Sequence, residues 1–237
     1  MKTGRLIITL YYKVLFMAHQ NPSETLRDIS DIKRIMERSS RFISLSGLSG
    51  IAAGLCGLGG AYVADRAIRE VYDPSTGAGH SASAADLKMK LFLIAVGTLA
   101  AALVLAFLFT WRRAKRNHLP VWDLTARKLV WNFSIPIVAG GLFILALAQR
   151  NEWQFLAPAC LVFYGLALVH SSKYTLTDIR YLGYLEIILG LFATQYPSYG
   201  LYFWAAGFGV LHIVYGAIMW WKYEKSAVAG HPAGRAS

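Results

Sequence analysis

The stretch LFLIAVGTLAAALVLAFLFTW (91–111) runs without a charged side chain over a length of chain that can cross a membrane. A transmembrane helix needs about 20 consecutive apolar residues to span the hydrocarbon core of a bilayer. Over the whole chain, 56% of residues are hydrophobic and 16% are charged, with a mean hydropathy of +0.42. Soluble domains carry about 25% charged residues. The sequence therefore predicts an integral membrane protein.

Six apolar runs of this kind can be read along the chain. They lie at about 42–63, 91–111, 129–148, 153–170, 179–196 and 201–221. Asn132 and Pro136 interrupt the third run, and only a short charged turn separates it from the fourth, so these two predict a tight helical hairpin. The predicted fold class is all-α, a polytopic transmembrane helix bundle with six spans in residues 42–223.

In this six-span topology, the basic residues are distributed unevenly between the two sides of the membrane. Most of the 24 Lys and Arg residues precede the first span, follow the sixth, or lie in the second and fourth connections. The other side holds five, namely Arg66, Arg69, Lys88, Lys90 and Arg150. By the positive-inside rule, both termini are predicted to be cytoplasmic. Basic residues beside spans are topology signals and contacts to anionic lipid, so the bilayer is an expected partner and nucleic acid is not.

The chain ends add three smaller predictions. Residues 1–20 are predicted to be a disordered or mis-called extension, because Met17 is a second candidate start beside Met1. In residues 21–41, apolar positions such as Leu26, Ile29 and Ile32 recur at helical spacing with charges between them, which predicts a cytoplasmic amphipathic helix. This helix either lies on the membrane surface or docks a partner. Residues 224–237 are predicted to be a disordered cytoplasmic tail.

No enzyme signature is found. Kinase, P-loop, zincin, nucleophile-elbow and dinucleotide motifs are absent from the sequence, and no external connection is long enough for a catalytic domain. The two cysteines, Cys56 and Cys160, fall inside spans without ligand spacing. The protein is therefore predicted to be no enzyme and to hold no metal and no cofactor.

Two stretches near the end of the chain share one frame around an ionisable residue. They read GYLEIILG (183–190) and GVLHIVYG (209–216), with Glu186 and His212 in the same slot. If the fifth span rises and the sixth descends, both residues lie near the middle of the bilayer. Glycines three residues before and four after share the face of the polar residue, so Gly183, Gly190, Gly209 and Gly216 are predicted to open space beside a Glu/His centre between these two helices.

This pair allows two interpretations. An ionised carboxylate at that depth costs at least a few kcal/mol, so Glu186 is expected to be protonated or paired. His212 is the first candidate partner, and Tyr215, Tyr184 and Asn132 are others. The functional interpretation is a proton relay or cation site, and the structural interpretation is a satisfied polar pair that fixes helix register. The sequence leaves both open.

The first span is rich in small residues that predict close helix packing. Ser49, Ala53, Gly57 and Ala61 form one row with a spacing of four, and Ser46, Gly50 and Gly54 form another. Small residues let helix backbones approach closely inside a membrane. We therefore expect this span to lie in the centre of the bundle, with Gly50, Ala53, Gly54, Gly57 and Ala61 at helix contacts.

Three stretches resemble a protein family. MERSSRFISLSGLSGIAAG (36–54), YGLALVHSSKYTLTDIRYLGYLEIILGL (164–191) and YGLYFWAAGFGVLHIVYGAIMWWKYE (199–224) are similar to six-span bacterial membrane proteins of unknown function, found mainly in Bacteroidetes. The resemblance covers most of residues 17–225. It implies the six-span architecture and a bacterial inner membrane, and it implies no catalytic residues.

Two functions follow as expectations. The first is a non-enzymatic accessory, assembly or regulatory membrane subunit, which forms homo-oligomers or binds another membrane protein through its small-residue faces. The alternative is a small proton-coupled transporter or permease that uses Glu186 and His212. Transporters often contain repeated halves, and no three-plus-three repeat is evident here.

Overall fold

The structure is a computed structural model that describes residues 46–72, 84–116 and 122–222. All regular elements in these ranges are helices, which confirms the predicted all-helical class. Besides three short 3₁₀ helices (Trp153–Phe155, Ser172–Tyr174 and Pro197–Tyr199), they are α1 (Gly47–Tyr72), α2 (Ala84–Arg116), α3 (Leu124–Gln149), α4 (Leu156–Ser171), α5 (Ile179–Gln195), α6 (Gly200–Ala205), a π-helical segment (Ala206–Leu211) and α7 (His212–Trp220). The last three are continuous and together are called the C-terminal helix. The predicted extension (1–20), amphipathic helix (21–41) and tail (224–237) lie outside the described residues.

Several of these helices are long and apolar enough to cross a membrane. Five such stretches are found among the described residues: Gly47–Tyr72, Ala85–Arg116, Leu124–Gln149, Trp153–Tyr174 and Pro197–Trp220. Helix α5 has 17 residues, which is at the lower limit of about 17–25 residues for a span. The chain is thus a multi-pass membrane protein by helix length and composition, and the count of six spans stays a prediction.

The first two helices extend beyond the predicted spans. Helix α1 continues past residue 63 to residue 72, and α2 begins at residue 84 instead of 91. The extra turns carry charged pairs, with Arg69 Nε 2.7 Å from Asp65 Oδ2 and Lys90 Nζ 3.0 Å from Glu70 Oε2. The first pair lies one turn apart on α1, which supports a helix in water, and the second joins α2 to α1. The helices therefore do not stop where the apolar sequence stops.

Helices α3 and α4 form the predicted hairpin, but α3 is not interrupted. It runs continuously through Pro136, and the Nδ2 of Asn132 donates a hydrogen bond to the carbonyl oxygen of Lys128 at 2.8 Å. Pro removes one backbone donor from a helix, and the rest of α3 persists around that gap. The turn to α4 contains Asn151, with a positive φ of 62°, a conformation that Asn tolerates better than most residues.

The described helices pack in a defined order. Helix α1 lies between α2 and the C-terminal helix, while α4 contacts α3, α5 and the first turns of the C-terminal helix. In the most apolar stretch of α2 no residue is buried, and in that of α3 only 6% of the residues are buried. Both helices therefore present apolar side chains outward, as lipid-facing helices do.

Helix α1 and the C-terminal helix approach each other backbone to backbone. A Cβ added at Gly54 would lie 2.7 Å from the carbonyl oxygen of Gly209, and one at Gly216 would lie 2.6 Å from the backbone nitrogen of Ile51. No side chain fits in such a contact. The helices are held here by the close packing that small residues permit in membranes.

The residues predicted for helix contacts in the first span divide into two groups. Gly50, Gly54 and Gly57 face the backbone of the C-terminal helix, and Ala61 is 7% exposed. Ala53 is only partly buried, whereas its neighbour Ala52 is buried. Glycines at these positions thus set the approach of α1 to the C-terminal helix.

The substitution Gly54→Ala is expected to lower the free energy of unfolding by about 1–3 kcal/mol, because its methyl group would overlap a backbone carbonyl. The control is Gly59→Ala on the same helix, where a Cβ meets nothing within 4 Å. That variant should be neutral or more stable by up to about 1 kcal/mol, because Ala is the better helix former. Unfolding of both variants by denaturing detergent measures the difference. Equal stability of the two variants would contradict the close contact.

Candidate functional site

Glu186 lies in the middle of α5 and is fully buried. Its side chain has 0% relative exposure, although the helix around it is apolar. A carboxyl group in such a place needs a compensating partner or a bound proton, because burying a bare charge is costly. Its neighbours therefore decide what it can do.

His212 lies on the C-terminal helix at the end of the π-helical segment and is 7% exposed. Its Nδ1 is 2.9 Å from the carbonyl oxygen of Gly207, and its Nε2 is 2.7 Å from the hydroxyl oxygen of Tyr164. A carbonyl oxygen only accepts hydrogen bonds, so Nδ1 must carry the hydrogen. In the neutral imidazole, Nε2 then accepts a hydrogen bond from the Tyr164 hydroxyl.

The carboxyl group of Glu186 faces this imidazole at slightly more than hydrogen-bond distance. Oε1 is 3.4 Å from His212 Nδ1. Within residues 46–72, 84–116 and 122–222, neither carboxyl oxygen of Glu186 has a hydrogen-bond partner. A Cβ on Gly207 would lie 2.5 Å from Oε2 and would also overlap Leu161. The carboxyl group is thus packed against the Gly207 backbone and the Leu161 side chain.

Tyr164 is the third member of the site, and the sequence analysis did not identify it. It lies on α4, with its ring edge-on to Phe133 at a centroid distance of 6.0 Å and tilted against Phe208 at 5.1 Å. Its ring is also 5.3 Å from that of His212. Membrane tyrosines concentrate near span ends, whereas Tyr164 lies midway along the fourth predicted span. This position away from the span ends is the feature of the sequence that distinguishes Tyr164 from the interfacial tyrosines.

The other predicted partners of Glu186 are placed differently. Tyr215 packs against an apolar cluster that includes Leu168 and Ile179. Tyr184 is 45% exposed, and the Asn132 amide is hydrogen-bonded within its own helix. The structure thus brings together Glu186 and His212 from the predicted set and adds Tyr164 and the Gly207 carbonyl.

The flanking glycines do not have the predicted role. A Cβ on Gly183 would meet the carbonyl oxygen of Gly165 on α4 at 2.8 Å, and Gly190 also faces α4, against Val162, Leu161 and the carbonyl of Pro158. Gly209 and Gly216 face α1 instead. The prediction that these glycines open space between α5 and the C-terminal helix is therefore wrong.

Helix geometry explains this correction. At 100° per residue, positions three before and four after a given residue are rotated about 60° and 40° from it, in the same direction. The glycines thus form a neighbouring stripe to one side of the polar residue. That stripe packs against a third helix, while Glu186 and His212 point at each other.

The chemistry of these groups is that of proton binding and transfer. Carboxyl, imidazole and phenol groups are the usual side chains for moving protons. Among the described residues, no group of three or more His, Cys, Asp or Glu side chains that could hold a metal ion is found. The side of the carboxyl group at Oε2 is filled by protein atoms.

The chain matches no protein-family model, no curated protein and no solved structure. The resemblance to a six-span bacterial family therefore stays a prediction. The site has to be interpreted from its own geometry.

The substitution Tyr164→Phe removes the hydroxyl group and keeps the ring packing on Phe133 and Phe208. We expect it to lower the free energy of unfolding by about 1–2 kcal/mol, because the buried Nε2 of His212 loses its partner. Tyr184→Phe, on an exposed tyrosine, should change that free energy by less than about 0.5 kcal/mol. If both variants unfold alike in the same detergent titration, the hydrogen bond to His212 is not part of the site.

Proposed function

We propose that the protein is a small proton-coupled membrane protein in which Glu186, His212 and Tyr164 form an intramembrane proton-binding site. The observation that carries this proposal is the state of the Glu186 carboxyl group. It is fully buried and lies 3.4 Å from His212 Nδ1, and neither oxygen has a hydrogen-bond partner among the described residues. A pair that served only to fix helix register would be expected to satisfy its hydrogen bonds.

The three side chains are arranged in one line. The Tyr164 hydroxyl donates to His212 Nε2 at 2.7 Å, which keeps the imidazole hydrogen on Nδ1, 3.4 Å from Oε1 of Glu186. A proton from one side of the membrane binds the Glu186 carboxylate and gives a neutral carboxylic acid, and its release restores the carboxylate. Protons and charge balance, and the imidazole keeps its Nδ1–H form throughout.

The packing around the carboxyl group favours a proton over a larger cation. Gly207 and Leu161 fill the space beside Oε2, whereas a sodium or calcium ion needs several oxygen ligands at more than 2 Å in every direction. A proton needs no cavity. The ionisable residue inside the membrane is therefore best accounted for by proton binding.

The same proposal includes the architecture and location that the sequence predicts. The protein would cross a bacterial inner membrane six times, with α5 as a short fifth span and both termini in the cytoplasm. The charge distribution supports this topology, because most basic residues lie in the connections and termini on one side of the predicted spans. The proposed family of six-span bacterial membrane proteins has the same architecture.

A second candidate is the accessory or assembly subunit that the sequence first favoured. One observation supports it, namely that none of the most apolar stretch of α2 is buried within the described chain. A helix of 33 residues that packs mainly on α1 offers a long apolar surface to a second copy or another membrane protein. This reading treats the buried polar site as a packing element.

The experiment that separates the two candidates measures proton flux into proteoliposomes that contain the purified protein. The parent chain is compared with Glu186→Gln, which keeps the shape of the side chain and removes its ionisation. The control is Glu152→Gln, which makes the same chemical change at an exposed turn. We expect proton flux in the parent and in the Glu152 variant, and a loss of at least tenfold in the Glu186 variant, as for the removal of a proton-transferring group.

Two results would oppose the proposal. Equal flux in all three proteins would show that Glu186 carries no proton. The absence of flux in all three, with the Glu186 variant only less stable, would favour the accessory subunit, and the size of the complex in native membranes would then be the next quantity to measure.

A further inference from the structure

One N–H group in the site lies between two acceptors. The Nδ1 of His212 is 2.9 Å from the carbonyl oxygen of Gly207 and 3.4 Å from Oε1 of Glu186. Both acceptors are buried, and their strength differs with the state of the carboxyl group. A carboxylate accepts a hydrogen bond about twice as strongly as a neutral group does, whereas a protonated carboxyl group competes poorly with a backbone carbonyl.

The backbone acceptor belongs to an unusual helical segment. Gly207 lies within the π-helical Ala206–Leu211, between the α-helical turns of α6 and α7. A π-helical turn is wider than an α-helical one, is rare, and is often found at functional sites. The imidazole of His212 reaches back five residues and bonds to the Gly207 carbonyl. A side-chain donor thus bonds to a carbonyl of this wide turn.

We propose that this π-helical segment is a proton-dependent switch, in which the Nδ1 hydrogen of His212 changes its acceptor between Gly207 and Glu186. This inference rests on the proposed function, because it requires Glu186 to bind and release a proton. With the carboxyl group protonated, Nδ1–H bonds to Gly207, as in the structure. With the carboxyl group ionised, Nδ1–H turns to Oε1 and releases the Gly207 carbonyl.

The released carbonyl then bonds to backbone donors alone. A π-helical turn offers it the N–H five residues further along the chain, and the commoner α-helical turn becomes available once the side-chain donor has left. The α-helical pattern offers the N–H of Leu211, four residues further along the chain. Deprotonation therefore favours the tighter turn, and protonation of Glu186 favours the π-helical turn.

The groups around the site allow the carboxyl group to control this choice. Among the described residues, His212 from the C-terminal helix faces it at 3.4 Å, and Tyr164 from α4 is joined to the same group through its hydrogen bond to His212. Among the described residues, His212 is the ionic partner of Glu186 within 4.0 Å. Helix α1 contacts the π-helical segment with Gly54, Gly57 and Leu58, which carry no charge. Ionisation of the Glu186 carboxyl group is therefore the main change of charge beside this segment.

The change can reach the rest of the bundle through the contact with α1. Gly209 lies in the π-helical segment and contacts Leu58 of α1. Gly216 lies in α7 and contacts the α1 backbone. Tightening of the turn changes the position of α7 relative to these contacts. Because the two helices are in direct backbone contact there, a change in the position of α7 is passed on to α1 as a small helix shift.

The sequence allows the Gly207 carbonyl to be observed alone. Gly207–Phe208 is the one Gly-Phe pair in the chain. Protein grown with carbonyl-13C glycine and 15N phenylalanine therefore contains one directly bonded 13C–15N pair of this kind, and solid-state NMR in lipid bilayers selects its carbonyl signal. Side-chain carboxyl 13C of glutamate is followed in a parallel sample, with Glu186 identified by its loss in Glu186→Gln.

We expect the Gly207 carbonyl signal to shift with pH in the parent, over the same range in which the Glu186 carboxyl signal titrates. In Glu186→Gln the Gly207 signal should not depend on pH, and in the control Glu152→Gln it should follow the parent. If Glu186 titrates while the Gly207 signal stays constant, the switch is wrong and the proton site remains. If the Glu186 signal does not titrate, the proton site and the switch are both wrong.

Discussion

The burial of one carboxyl group constrains the rest of this helix bundle. Glu186 is fully buried in an apolar helix, where an unmatched charge costs at least a few kcal/mol. Three separate helices supply what surrounds it: Tyr164 from α4, the α5 residues beside it, and His212 with Gly207 from the C-terminal helix. Their relative positions matter at the scale of a hydrogen bond. A displacement of any of them would change which atoms compensate the carboxyl group.

Glycine contacts hold these helices in place without using the polar residues. Gly183 and Gly190 let α5 approach α4, and Gly209 and Gly216 let the C-terminal helix approach α1. The polar side chains therefore do not hold the bundle together by themselves. Both ring nitrogens of His212 are hydrogen-bonded, whereas the Glu186 carboxyl group has no hydrogen-bond partner among the described residues. We therefore propose a proton-binding site and keep the accessory subunit as the second candidate.

The sequence predicted some of these features and could not predict others. Composition and apolar run length were enough for the all-helical membrane class, because the bilayer admits few alternatives. The shared frame around Glu186 and His212 identified the two ionisable residues that the structure places together. Tyr164 was missed because a tyrosine in a span also fits packing, and the π-helical segment was missed because Ala206–Leu211 reads as an ordinary apolar helix. The glycine contacts were assigned to the wrong helices. The spacing of residues along a helix gives the angle between their side chains, but it does not identify the helix that packs against them.

The most direct test of this account is whether Glu186 gains and loses a proton within the membrane. Infrared difference spectra of the protein in lipid bilayers, recorded between mildly acidic and mildly alkaline pH, show the C=O stretch of a protonated carboxylic acid separately from the ionised form. If Glu186 binds and releases a proton, the parent shows one reversible carboxylic acid band that shifts in heavy water and is missing in Glu186→Gln. Superimposable difference spectra from the parent and this variant would contradict it, and Glu186 would then be a structural residue.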